Sequence, residues 1–227
     1  MKATTRTYSF FSETLLTVMI AMAAAAPCLR ADISYDVTIN TTGLSTDNGY
    51  LVLDLTSGGG PSSNTITISD FMTDGTLGTT SNTGLVTGTL PGTVTLMDNP
   101  ISSFFNEYST GFTFGTSISF ALDATTNGPG PGSSPDEFAL FFLDSSDLTS
   151  LIDTSDPTGA DSLLLLDANG SSAGSPTVFT VSGAANVSGS MTPQVSTVPE
   201  PSSLLLLAVG LCVLLVCRRT SVVNGGN

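Results

Sequence analysis

The chain has no histidine and no tryptophan among its 227 residues, and its five basic residues and three cysteines are confined to the two ends. Between Asp32 and Thr197 there is no Lys, Arg, His, Cys or Trp, while seventeen of the nineteen acidic residues lie there, only Glu13 and Glu200 falling outside. Each absence excludes something. Without thiols in this body, no disulfide and no cysteine metal site holds it together, so its stability must come from apolar burial and backbone hydrogen bonding. Without cations, no salt bridge can form inside it. A serine nucleophile would find no His or Lys to act as its base. Unrelieved negative charge repels phosphate backbones and anionic headgroups, which excludes nucleic acid as a partner.

The basic residues that do exist mark the ends. Lys2 and Arg6 precede an apolar stretch from Leu15 to Ala26, followed by Pro27, Cys28, Leu29, Arg30 and Ala31. A positive start, a dozen apolar residues and small residues before a cut form the pattern of a secretory signal peptide, and residues 1–31 are expected to be one, read by the general secretion machinery. Cys28 raises a lipoprotein alternative, against which Pro27 stands where a small residue is wanted.

At the other end Leu204 to Cys217 carries no charge. Fourteen helical residues rise about 21 Å, short of a hydrocarbon layer of about 30 Å. Pro199 and Pro201 stop any element from running into it, and Arg218 and Arg219 close it as a basic membrane stop that can snorkel. We expect a membrane helix with its stop over 204–219, a linker over 191–203 and a polar tail over 220–227.

The order VPEPSS, apolar helix, Arg pair resembles the PEP-CTERM sorting signal of Gram-negative bacteria that make extracellular polysaccharide. The resemblance covers about Val198 to Arg219. It implies that Val198, Pro199, Glu200 and Pro201 form the sorting motif and that an exosortase, an integral membrane cysteine transpeptidase, removes the helix near it. The helix would then be a transient anchor, and the mature protein would belong to the cell envelope, the outer surface or the secreted fraction. The eight residues after Arg219 continue where such signals usually stop.

The body reads as all-β. Ile33, Tyr35, Val37 and Ile39 alternate with Ser34, Asp36, Thr38 and Asn40, the two-residue period of a half-buried strand. Tyr50 to Leu55 and Asn64 to Phe71 give two more strands. Phe112 to Asp123 reads as one long strand, with Phe112, Phe114, Ile118, Phe120 and Leu122 on one face. Glu137 to Leu143 is apolar on both parities, as a central covered strand would be. Weaker strands are expected at 92–96, 162–166 and 177–181, and a helical turn near 146–152. Many short strands with Gly/Pro/Asn/Asp punctuation predict a single antiparallel β-sandwich over residues 32–190, jelly-roll-like.

Candidate chemistry is sparse. Asp144, Asp147, Asp153 and Asp156 head the densest acidic cluster, which continues to Asp161 and Asp167. Calcium prefers oxygen ligands of this kind, although their spacing does not fit an EF-hand; the alternative is that they cap turns. No other cofactor is indicated. Glu107 and Glu137 could be drawn as a glycosidase pair, but nothing else in the body supports catalysis, and we expect no enzyme. Tyr35, Tyr50 and Tyr108 could form a sugar platform if they shared an exposed face. The resulting expectation is a noncatalytic surface or matrix component associated with exopolysaccharide and biofilm; the alternative is a carbohydrate-binding module or calcium-dependent adhesin.

Overall fold

The chain divides into two compact units, 1–31 and 32–227. The computed structural model describes residues 33–198 of the second, apart from 62, 100–102, 129, 148, 169–174 and 183–190. The expected signal peptide, the sorting motif from Pro199 onward, the apolar helix, the Arg stop and the polar tail therefore lie outside the described residues.

The described residues form two six-stranded antiparallel sheets. The strands are β1 (Ile33–Asn40), β2 (Asn48–Thr56), β3 (Thr65–Thr73), β4 (Thr76–Thr83), β5 (Val86–Gly88), β6 (Val94–Met97) and β7 (Phe105–Thr113). They continue with β8 (Ser117–Ala124), β9 (Asp136–Leu143), β10 (Asp153–Thr154), β11 (Leu164–Ala168), β12 (Thr177–Val178), β13 (Val181–Ser182) and β14 (Gln194–Thr197). One sheet has the order β14-β1-β8-β3-β6-β5 and the other β12-β11-β9-β2-β7-β4, with β10 and β13 paired apart. The chain crosses between sheets at nearly every connection from β1 to β9, so β1-β8-β3-β6 faces β2-β7-β4. That is jelly-roll pairing, in which strands distant in sequence become neighbours. The short β5 stays beside β6, while β9, β11 and β12 widen the second sheet.

Alternation accounts for the core. Tyr35, Val37 and Ile39 of β1, Leu51, Leu53 and Leu55 of β2, Ile66 and Ile68 of β3, and Phe138, Leu140 and Phe142 of β9 all point between the sheets. Each such side chain contributes about 1.5–3 kcal/mol through loss of apolar surface from water. Phe114 joins Phe112 and Phe142 edge-on, with both ring-centroid distances at 4.8 Å.

Two expectations are corrected. Phe112 to Asp123 is not one strand: β7 ends at Thr113, the chain turns through Phe114, Gly115 and Thr116, and β8 begins in the opposite sheet. A Cβ on Gly115 would stand 2.3 Å from Asp74 Oδ1 and 2.5 Å from Gly75 N, so a side chain has no room at this corner. Asp74 clamps it, accepting from Thr116 N–H at 2.7 Å, Ser117 N–H at 3.0 Å and the Thr116 hydroxyl at 2.6 Å. These bonds, the Thr116 hydroxyl foremost, hold the Asp74 carboxyl below its ordinary pKa. The second correction concerns the linker. Met191 is 1% exposed and packs in the core, and β14 pairs with β1, so folded structure extends past residue 190 into the expected linker.

Candidate functional site

With Leu51, Leu53 and Leu55 turned inward, the strand period turns Tyr50, Val52, Asp54 and Thr56 outward. Register then assembles a band of acids on that outer face. Glu107 of β7 lies opposite Asp54, and Glu137 of β9 lies opposite both Thr56 of β2 and Asp167 of β11. From the connection between β9 and β10, Asp147 adopts a left-handed φ of 59°. Its carboxylate accepts from the Ser109 hydroxyl, at 3.4 Å to each oxygen.

Carboxylates gathered and buried without a cation disfavour the charged form. Burial, then repulsion from Glu107 and Asp147, pushes the Asp54 carboxyl up to about 7. Asp54 Oδ1 is buried and has no hydrogen-bond partner. Burial and Asp147 raise Glu107, and burial, Asp167 and Asp156 raise Glu137. Asp54 thus exchanges a proton near neutral pH, where an ordinary carboxylate is fully ionised.

The structure separates the tyrosines. Tyr35 and Tyr108 are 2% and 0% exposed, so neither offers a ring face to a ligand. The Tyr108 hydroxyl accepts the Leu90 N–H at 2.9 Å within the core. Tyr50 alone is half-buried, on the acidic face. Glu107 and Glu137 share that face but sit on strands flanking β2, about 9.6 Å apart across two strand spacings, and are offset by two residues. Glu107 is brought instead to Asp54 and Asp147.

The acids after β9 close turns. Asp144 accepts from Ser146 N–H at 3.0 Å and from the Thr149 hydroxyl at 2.7 Å. Asp156 binds Thr158 N–H at 2.9 Å and the Ser162 hydroxyl at 2.6 Å, and Asp161 accepts from Thr154 N–H at 2.9 Å. Asp153 is exposed in β10. Among the described residues no group of three or more His, Cys, Asp or Glu is arranged to hold a metal ion, so Asp144, Asp147, Asp153 and Asp156 do not converge on one.

Sequence reasoning did not single out a second polar cluster, at one end of the sandwich. Ser57 after β2, Asn64 before β3, Asp98 after β6 and Asp136 at the start of β9 are all at most 3% exposed. In the sequence Asn64 reads as the first residue of a strand, and nothing local marks the burial it shares with Ser57, Asp98 and Asp136.

What fold and face define together is an acidic, cation-free jelly-roll domain, held by apolar packing between two sheets. The particular address comes from the tail: residues 197–219 match the PEP-CTERM protein-sorting motif. The chain therefore carries the signal of an exported exosortase substrate, directed to the cell envelope or surface. The match starts at Thr197, the last residue of β14. No helix among the described residues is long and apolar enough to cross a membrane. No curated protein and no solved structure matches the chain.

Proposed function

We propose that the mature protein is a noncatalytic surface or matrix component that associates with exopolysaccharide after an exosortase removes its tail. The observation that carries this reading is the sorting motif at residues 197–219, attached to a domain that has no cationic or imidazole side chain in its body. The apolar run anchors the precursor while the enzyme acts. The outer face with Tyr50, Asp54 and Glu107, all half-buried, supplies hydroxyl and carboxyl groups for hydrogen bonding to sugar hydroxyls, and its negative charge keeps the domain hydrated among polymer chains.

Intact mass spectrometry of the native protein, together with fractionation of the extracellular polymer, tests both halves. Expected is a mature chain that has lost residues 204–217 and co-fractionates with polysaccharide. Retention of those residues in cells with an active exosortase overturns the processing. Loss of the tail without any polymer association overturns the matrix role alone.

A further inference from the structure

The polar cluster at the end of the sandwich holds an imbalance. Asp136 is fully engaged: Oδ1 accepts the Gly58 N–H at 2.8 Å and Oδ2 accepts the Asn64 side-chain amide at 2.7 Å. Asn64 is itself fixed, its Oδ1 accepting the Asn127 N–H at 2.7 Å and its amide donating to the Asn127 carbonyl at 3.0 Å. Asp98 faces Asp136 closely enough to repel it, is 3% exposed, and has both carboxylate oxygens buried without a hydrogen-bond partner. Burial and the Asp136 carboxylate favour its protonated form, while the nearby Ser57 hydroxyl and Asn99 N–H favour its charged one.

Two adjacent buried carboxylates are costly unless something positive sits between them. No side chain of the body can supply that charge, because residues 32–197 contain no Lys, Arg or His. A divalent cation balances two carboxylates. The donors present are all oxygens, which select a hard ion and not one that prefers nitrogen or sulfur. We propose that Asp98 and Asp136 bind one calcium ion at the end of the sandwich, with Ser57 as a neutral ligand and Asn64 as a positioning residue. Asn64 and the Gly58 N–H orient Asp136, as outer partners orient ligating carboxylates elsewhere. The ion ties the ends of β2 and β9, from one sheet, to the end of β6 and the start of β3, from the other.

The test is calorimetric titration of the full-length chain in detergent with calcium chloride at pH 7.5, alongside melting curves in calcium and in chelator. One ion per chain is expected, with Kd about 10⁻⁴ to 10⁻³ M, the range of extracellular modules, and 10 mM calcium raising Tm by about 3–10 °C. Asp98→Asn should weaken binding by roughly 100-fold and Asn64→Ala by about 10-fold. The double variant Asp144→Asn, Asp147→Asn should bind as the parent does. Should Asp98→Asn fail to fold, Asn64→Ala and the double variant still decide. The proposal is overturned by no binding to the parent chain, by unchanged affinity in folded Asp98→Asn or in Asn64→Ala, or by loss of binding in the double variant. It is equally overturned if acidification alone reproduces the whole rise in Tm and calcium adds nothing, since a proton shared between the two carboxyls would then suffice.

Discussion

Asp54 is where the missing cations matter most for a single residue. Its folded pKa of about 7 lies well above the ordinary carboxylate value, so the folded state binds more protons than the unfolded one between pH 4 and 7. Stability then falls as pH rises through that window, with the full benefit present only below the unfolded pKa. Glu107 and Glu137, also raised, act in the same direction. Melting curves from pH 5 to pH 8 should therefore show a declining Tm. Asp54→Asn, which keeps the shape and removes the charge, should flatten the decline and raise Tm at pH 8 by about 3 °C. A Tm that rises across this range in the parent would contradict the assignment. A second test at this scale is Tyr108→Phe. It strips the acceptor from the Leu90 N–H inside the core, and denaturant unfolding should show a loss of about 1–3 kcal/mol.

At the scale of the element, legibility follows burial. β1, β2 and β3 announce themselves because one parity is apolar and goes inside. β4 does not: as an edge strand of Thr, Ser and Asn it is exposed on both faces, so no period of two is written into it. β7 is obscured because Asn106, Ser109 and Thr110 are buried despite being polar. β14 presents only four residues, largely exposed, to an edge. The corner at Gly115 was hidden for a subtler reason. Phe112, Phe114, Ile118, Phe120 and Leu122 stay on one parity and all face the core, although the strand on either side belongs to a different sheet. The acidic face was illegible for the same kind of reason, since Asp54 and Glu107 meet only through a register that hydrophobic pattern does not reveal. Gly115→Ala should expose the corner's role: its new methyl collides with backbone at Gly75 and with the Asp74 carboxylate. Thermal unfolding should show a cost of about 2 kcal/mol or more, against about 1 kcal/mol for Gly132→Ser, where an added Cβ meets nothing within 4 Å and only the left-handed backbone is strained.

For the whole molecule, sandwich and tail are separable instructions. The described residues build an apolar core between the sheets, whereas the sorting match occupies residues 197–219. Replacing Pro199, Glu200 and Pro201 together with alanine should leave export intact and block maturation. The measurable result is a larger chain that remains in the membrane fraction, with the melting behaviour of the domain unchanged. Processing that proceeds normally in this triple variant would contradict the assignment of the motif to those three residues.

The last strand carries a consequence for that processing. β14 is zipped to β1 from Gln194 to Thr197, and the Val198 N–H still reaches the Ser34 carbonyl at 2.9 Å; the next residue is Pro199, which has no N–H with which to continue the ladder. The ladder therefore ends one residue before the first proline of the sorting motif. An exosortase cutting close to that motif would have to accommodate the flank of the sandwich at its entrance or peel β14 from the sheet edge, and the strength of four residues of edge pairing would then throttle how fast the protein is released.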